Sequence, residues 1–194
     1  MLHIKKIFLF VLLLFIVSGC GKQSIQNGVE WPIEDFKFIN QNGESVSNVD
    51  LQGKVWIANF MFTNCTTVCG PMSANMARIQ RLIAEEKLEN VELVSLSVDP
   101  EVDSPEILKE YATRFTEDFS NWNFLTGYAQ KFIEQFAFDN FHAHVIKPEN
   151  DNQVIHGTDF YLVNQEGTIV KYYSGVSDVP YEEIMNDINL LLEK

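Results

Sequence analysis

Cys65 and Cys69 stand between an apolar run that ends at Phe62 and a helix-like pattern that begins near Met72. Thr66-Thr67-Val68 separates them, one residue more than the Cys-x-x-Cys of thiol redox enzymes. The helix N-terminus stabilises negative charge, so a thiol on its first turn tends toward thiolate, the form needed for disulfide exchange and for soft metals alike. A separation of four lets both sulfurs converge on one point. Two thiolates alone make a two-coordinate site, and a third ligand has to be brought in by folding. His156, just before the apolar run Phe160–Val163, is the candidate, with an ordinary loop or core histidine as the competing reading. Two sulfurs and one imidazole suit copper; zinc is chemically possible, but structural zinc wants a fourth ligand that is not obvious here.

The third cysteine belongs to the N-terminus. His3, Lys5 and Lys6 make a basic start, Ile7 to Val17 is unbroken apolar sequence, and Val17-Ser18-Gly19-Cys20 closes it. Eleven apolar residues fall short of the roughly 20 that a membrane-spanning helix needs. The ending resembles a bacterial lipobox, which implies a lipoprotein signal peptide over 1–19 and a lipidated Cys20. A flexible tether over 20–28 and a folded domain over 29–194 would follow. An ordinary secretory signal or an uncleaved anchor are the alternatives, and each also puts the domain outside the cytoplasm. Without Cys20 a single close pair of cysteines remains, which is too few for a disulfide-stapled scaffold.

Removing the signal takes Lys+Arg from 14 to 12 against 27 Asp+Glu, so the net charge moves from -13 to -15. Such a surface repels phosphate backbones, and no nucleic-acid partner is expected. No Gly-rich phosphate loop or nucleophile elbow is present, which removes ATPase and α/β-hydrolase chemistry.

The elements that must position the cysteines follow from hydrophobic periodicity. Trp31, Phe36, Phe38 and Ile39, then Asn40-Gln41-Asn42-Gly43, Val46 and Val49, read as a hairpin closed by an Asn-Gly turn and covering one end of a sheet. Val55 to Phe62 alternates too little for a surface strand and reads as central and buried on both faces. Met72, Met76, Ile79, Leu82 and Ile83 recur at helical spacing. Val91 to Val98 is a second buried strand, ended by Asp99-Pro100, and Ser104-Pro105-Glu106 starts the next helix. Trp122 to Leu125 is a short strand, and Thr126 can cap a helix from Tyr128 to Phe136. Ala137 to Asn152 reads as an irregular excursion. Phe160–Val163 and Ile169–Tyr173 form a hairpin, and Pro180 to Leu192 is a final helix. The order implies an α/β thioredoxin-like fold: a mixed central sheet flanked by helices, with an extra N-terminal hairpin.

Phe62-Thr63-Asn64-Cys65-Thr66-Thr67-Val68-Cys69, Ser97-Val98-Asp99-Pro100 with Ser104-Pro105, and Val154-Ile155-His156 before Phe160–Val163 resemble three signature regions of the SCO/SenC family of thioredoxin-like copper-binding proteins. The resemblance runs from about Val29 to the C-terminus. It implies copper ligands at Cys65, Cys69 and His156, holding one ion as Cu(I), Cu(II) or both, and an aspartate near the site at Asp99. It further implies a membrane-anchored metallochaperone that serves the dinuclear copper centre of cytochrome c oxidase subunit II, or a thiol-disulfide oxidoreductase that reduces the cysteines of that subunit. A monomer on the outer face of the cytoplasmic membrane is expected. The family's usual Pro-Asp between the cysteines is Thr66-Thr67 here, and a glycine precedes Pro71.

Other residues carry two readings. Asp99 either hydrogen-bonds the site or is a turn device after its strand. His142 and His144 could present both imidazoles to one metal if extended, against surface or packing roles. Met61, Met72 and Met76 read as core in preference to thioether ligands, and Phe136, Phe138 and Phe141 as packing in preference to a contact face.

Overall fold

The computed structural model describes residues 25–193, so the signal sequence and Cys20 lie outside the described residues. Its strands are β1 (Trp31–Pro32), β2 (Lys37–Asn40), β3 (Ser45–Ser47), β4 (Val55–Met61), β5 (Val91–Ser97), β6 (Trp122–Thr126), β7 (Asp159–Val163) and β8 (Thr168–Ser174). Its helices are α1 (Asn48–Leu51), α2 (Cys69–Glu85), α3 (Pro105–Ala112), α4 (Gln130–Phe141) and α5 (Tyr181–Leu192). All eight strands share one sheet in the order β1-β8-β7-β4-β5-β6-β2-β3. β4, β5 and β6 are parallel neighbours, whereas β7 and β8 continue the sheet antiparallel on the other side of β4. Every residue of β4 is buried, which requires cover on both faces and explains its unbroken apolar sequence. This mixed sheet with flanking helices is the thioredoxin-like arrangement that the element order implied.

Four local readings differ. The β2–β3 hairpin does not cover an end of the sheet: β2 pairs with β6 and extends the sheet at its edge, while Trp31 lies at the opposite edge, in β1 against β8. Val49 leaves the hairpin for α1 and is 70% exposed. The cap is visible in the sequence afterwards, since Asp50 accepts hydrogen bonds from the Ser47 amide (2.8 Å) and hydroxyl (2.6 Å). α4 starts after Ala129 and runs to Phe141, taking in the first part of the presumed excursion. Thr126 is no cap; it ends β6 with its hydroxyl buried and without a partner among the described residues. The helix continues because Ile133, Phe136, Ala137, Asn140 and Phe141 keep one face buried, and Phe141 packs edge-on against Phe60 and Tyr161, both at 5.1 Å.

The C-terminal helix is fastened to the sheet by charge as well as by Ile184, Ile188 and Leu191. Lys171, 9% exposed, places Nζ 2.6 Å from Asp187 and 2.7 Å from Glu183, and the Tyr173 hydroxyl donates to the same Asp187 oxygen at 2.8 Å. Asp187→Ala should therefore cost about 3 kcal/mol, because it orphans Tyr173 and leaves Lys171 only a half-exposed partner. Thermal unfolding is the check, with a fall of about 6–12 °C expected; a fall of a degree or less would show that packing alone holds α5.

Candidate metal centre

Strand register brings the distant histidine to the cysteine end of the sheet. β4 pairs antiparallel with β7 so that Ala58 faces Tyr161 and Trp56 faces Val163. Continuing that register past the end of β4 sets the residues before β7 beside Phe62 and Thr63. His156 arrives there, its ring edge-on to Phe62 at 5.8 Å.

The cysteine loop connects β4 to α2. Cys69 is the first residue of α2 and fully buried, whereas Cys65 is partly exposed; both are free thiols. The Cys69 amide donates to Cys65 Sγ at 3.4 Å, so an otherwise unpaired helix N-terminal N–H points at sulfur. His156 Nε2 lies 3.2 Å from Cys69 Sγ. Its Nδ1 lies 2.7 Å from the Gly157 carbonyl, which can only accept, so Nδ1 carries the proton and Nε2 is left facing the sulfurs. The two Sγ atoms and a His156 ring nitrogen lie within 4.8 Å of one another, and no other cluster of three such groups occurs among the described residues.

The two thiols are unlike. Burial pushes Cys65 up, but the adjoining His156 and Cys69 side chains and the backbone of Thr67 and Cys69 outweigh it and bring the thiol down to about 5. At Cys69 burial, reinforced by the neighbouring Cys65, pushes the thiol far above its ordinary value. The expectation that the helix-start cysteine is the thiolate is therefore reversed: depth in the core outweighs the helix end at Cys69. The result is a partly exposed thiolate beside a buried thiol.

Asp99 is buried, yet its carboxylate is taken by Lys147 Nζ at 2.6 Å, and no bond joins it to either thiol or to His156. The carboxylate at the cysteine loop is Asp103, which sequence reasoning passed over. It is fully buried and accepts from the Thr63 hydroxyl (2.5 Å), the Thr63 amide (3.3 Å) and the Ser97 hydroxyl (2.6 Å), tying the end of β5 to the start of the loop. Its place immediately before Ser104-Pro105 was the available signal. Gln153, also overlooked, reaches the backbone on both sides of Cys65.

The remaining candidates stand apart. His142 takes the left-handed conformation that ends α4 and meets the edge of Trp31 at 4.3 Å, and His144 lies against Phe138; both are exposed. Met61, Met72 and Met76 are wholly buried core residues, as are Phe136 and Phe141, while Phe138 is half exposed.

Three ligands at about 2.2 Å around one ion sit about 4 Å from one another, so this donor set needs only slight closure to hold a soft cation.

Comparison with known proteins agrees in fold and in sequence. The sequence model of the SCO1/SenC family matches residues 27–193. The crystal structure of a SCO1/SenC family lipoprotein from Bacillus anthracis str. Ames is similar at 54% identity and a TM-score of 0.84, over 87% of this chain and 99% of that one. BsSco, a member of the Sco family of cytochrome c oxidase assembly proteins in which a disulfide switch was identified, is 45% identical with a TM-score of 0.81, over 88% and 98% of the two chains. Arabidopsis thaliana ScoI, crystallised with copper bound, is 25% identical with a TM-score of 0.68, over 83% and 98%.

Proposed function

On the premise that this chain belongs to the SCO1/SenC family, we propose that it binds a single copper ion through Cys65, Cys69 and His156. It then delivers the ion during assembly of the dinuclear copper centre of cytochrome c oxidase, with subunit II as acceptor. The observation that carries this reading is the convergence of two sulfurs and an imidazole nitrogen within 4.8 Å. Copper bound to the Arabidopsis relative and the oxidase-assembly role of BsSco support it.

Each residue has a distinct task. Cys65 is the entry ligand: partly exposed and already a thiolate, it receives the ion without first losing a proton. Cys69 closes the site from within, giving up its proton as the ion binds. His156 supplies Nε2, its ring held in that orientation by the Gly157 carbonyl. Cargo leaves by the reverse order, through the exposed side of Cys65. Lipidation at Cys20, after removal of residues 1–19, would leave 20–28 as tether and the domain on the outer face of the cytoplasmic membrane. Similarity to a lipoprotein supports that placement.

Titration of reduced protein with Cu(I) against a competing chelator tests the proposal. One ion should bind tightly, binding should fall below detection in Cys65→Ser and Cys69→Ser, and His156→Ala should weaken it at least about tenfold, or about 1.4 kcal/mol. Binding indifferent to His156 would remove the third ligand from the site.

The unlike thiols favour a second reading, reduction of a partner's disulfide. Cys65 thiolate attacks the partner disulfide, forming a mixed disulfide and releasing one partner thiolate. Cys69 then loses its proton and displaces the second, leaving a Cys65–Cys69 disulfide and a reduced partner. Metal-free reduced protein that fails to reduce a disulfide peptide would exclude this role.

A further inference from the structure

Between α4 and β7 the chain leaves the helix at His142, turns at 148–151 and comes back to the sheet carrying His156. Ile146 and Ile155 exchange both backbone hydrogen bonds, each 2.9 Å, but beyond this one bridge the segment has no ladder to hold it. Side chains supply what the backbone lacks. On the outgoing arm Lys147 Nζ binds Asp99 at 2.6 Å and Glu101 at 2.8 Å. Asp99 is 3% exposed and Glu101 65%, so the Asp99 pair is the one shielded from water. On the returning arm Gln153 Nε2 donates to the Asn64 carbonyl at 3.1 Å, while its Oε1 accepts from the Thr66 amide and hydroxyl, both at 3.3 Å. Asn64 and Thr66 flank Cys65, and Gln153 lies three residues before His156. A single side-chain amide thus spans the gap between the loop that carries the partly exposed thiol and the segment that carries the imidazole.

We propose that Gln153 and the Lys147–Asp99 pair are positioning residues: together they strap segment 146–155 onto the cysteine loop and determine whether His156 stands beside the two thiols. The identity of the ion rests on the copper reading above, but the strap itself is a property of the metal-free protein. Asp99 then has a task unrelated to tuning the thiols. With the strap open, the two sulfurs remain where β4 and α2 place them and the imidazole nitrogen is withdrawn, so the site falls from three donors to two.

The test uses Gln153→Ala and Lys147→Met, with Lys147→Arg retaining the charge pair. In metal-free protein, hydrogen exchange at the Ile146 and Ile155 amides should accelerate about tenfold or more in the first two variants and stay near wild type in the third. In copper(II)-loaded protein the same two variants should lose nitrogen hyperfine coupling and release copper to a chelator about tenfold faster. The melting temperature of Gln153→Ala should not move, which a general structural defect would not spare. Unchanged exchange at both isoleucines in both variants overturns the strap whatever metal is present. Faster exchange with unchanged copper coordination overturns the positioning of His156. Wild-type protein that holds no copper overturns the copper reading instead, and the exchange measurement still decides the strap.

Discussion

Iodoacetamide at pH 6 should modify Cys65 and leave Cys69 untouched. With its thiol near 5, Cys65 is mostly thiolate at that pH, whereas an ordinary thiol of pKa about 8.5 is ionised to only about 0.3%. The gain in thiolate, about 300-fold, is partly offset by the weaker nucleophilicity of a low-pKa sulfur, so Cys65 should react about tenfold faster than free cysteine. Cys69 is buried and its thiol is pushed upward, so selectivity between the two should be on the order of a hundredfold or more. The sign of the pH profile follows directly: reactivity is constant above about pH 6 and falls as the pH drops through 5, where Cys65 takes up its proton. Mass spectrometry of the labelled peptides reads both numbers. Equal labelling, or a midpoint near 8.5, would show that the surrounding bonds do not hold the thiolate.

Removing the Asp103 carboxylate should be the most damaging polar change in the domain. Asp103→Ala leaves the Thr63 amide, the Thr63 hydroxyl and the Ser97 hydroxyl without their acceptor in a fully buried position. That loss should cost about 3–5 kcal/mol and lower the melting temperature by about 6–20 °C. Burial, with Asp99 nearby, holds the Asp103 carboxyl above the ordinary range despite the bonds from Ser97 and Thr63. The folded state therefore binds this proton more tightly than the unfolded chain. Its contribution to stability is greatest below the unfolded value of about 4 and declines as the pH rises through the raised native value. Denaturant titrations of wild type and Asp103→Asn across that window should differ in slope, the wild type losing more stability as the pH rises. Parallel curves would mean that Asp103 titrates alike in both states.

Much of this was legible in the chain. The unbroken apolar run of β4 announced a central strand, and Cys65, Cys69 and His156 could be named because thiols and imidazoles are few in this sequence. What escaped has a common physical origin. Val49 looked like a strand residue because apolar character was weighed and the Ser47–Asp50 cap was not. α4 was cut short because Asn140, buried through bonds from the Glu34 amide and to the Phe136 carbonyl, interrupts an apolar count while continuing the buried face. Asp103 and Gln153 act through partners 40 and 87 residues away, which no local spacing can reveal. The reversal at the cysteines is similar: position on a helix is written in sequence, whereas depth in a core is not.

The antiparallel pairing of β4 with β7 has one more consequence, for the order of events in the life of the chain. Cys69 and His156 are 87 residues apart, and nothing short of the completed sheet brings them together. An unfolded chain carries two thiols and a remote imidazole, and so no three-donor site. The three-donor site forms only on folding. An ion that prefers the three-donor site favours the native state, adding up to about 4 kcal/mol when it is present at a thousandfold over its dissociation constant. Full three-donor loading doubles as a report that the domain is intact.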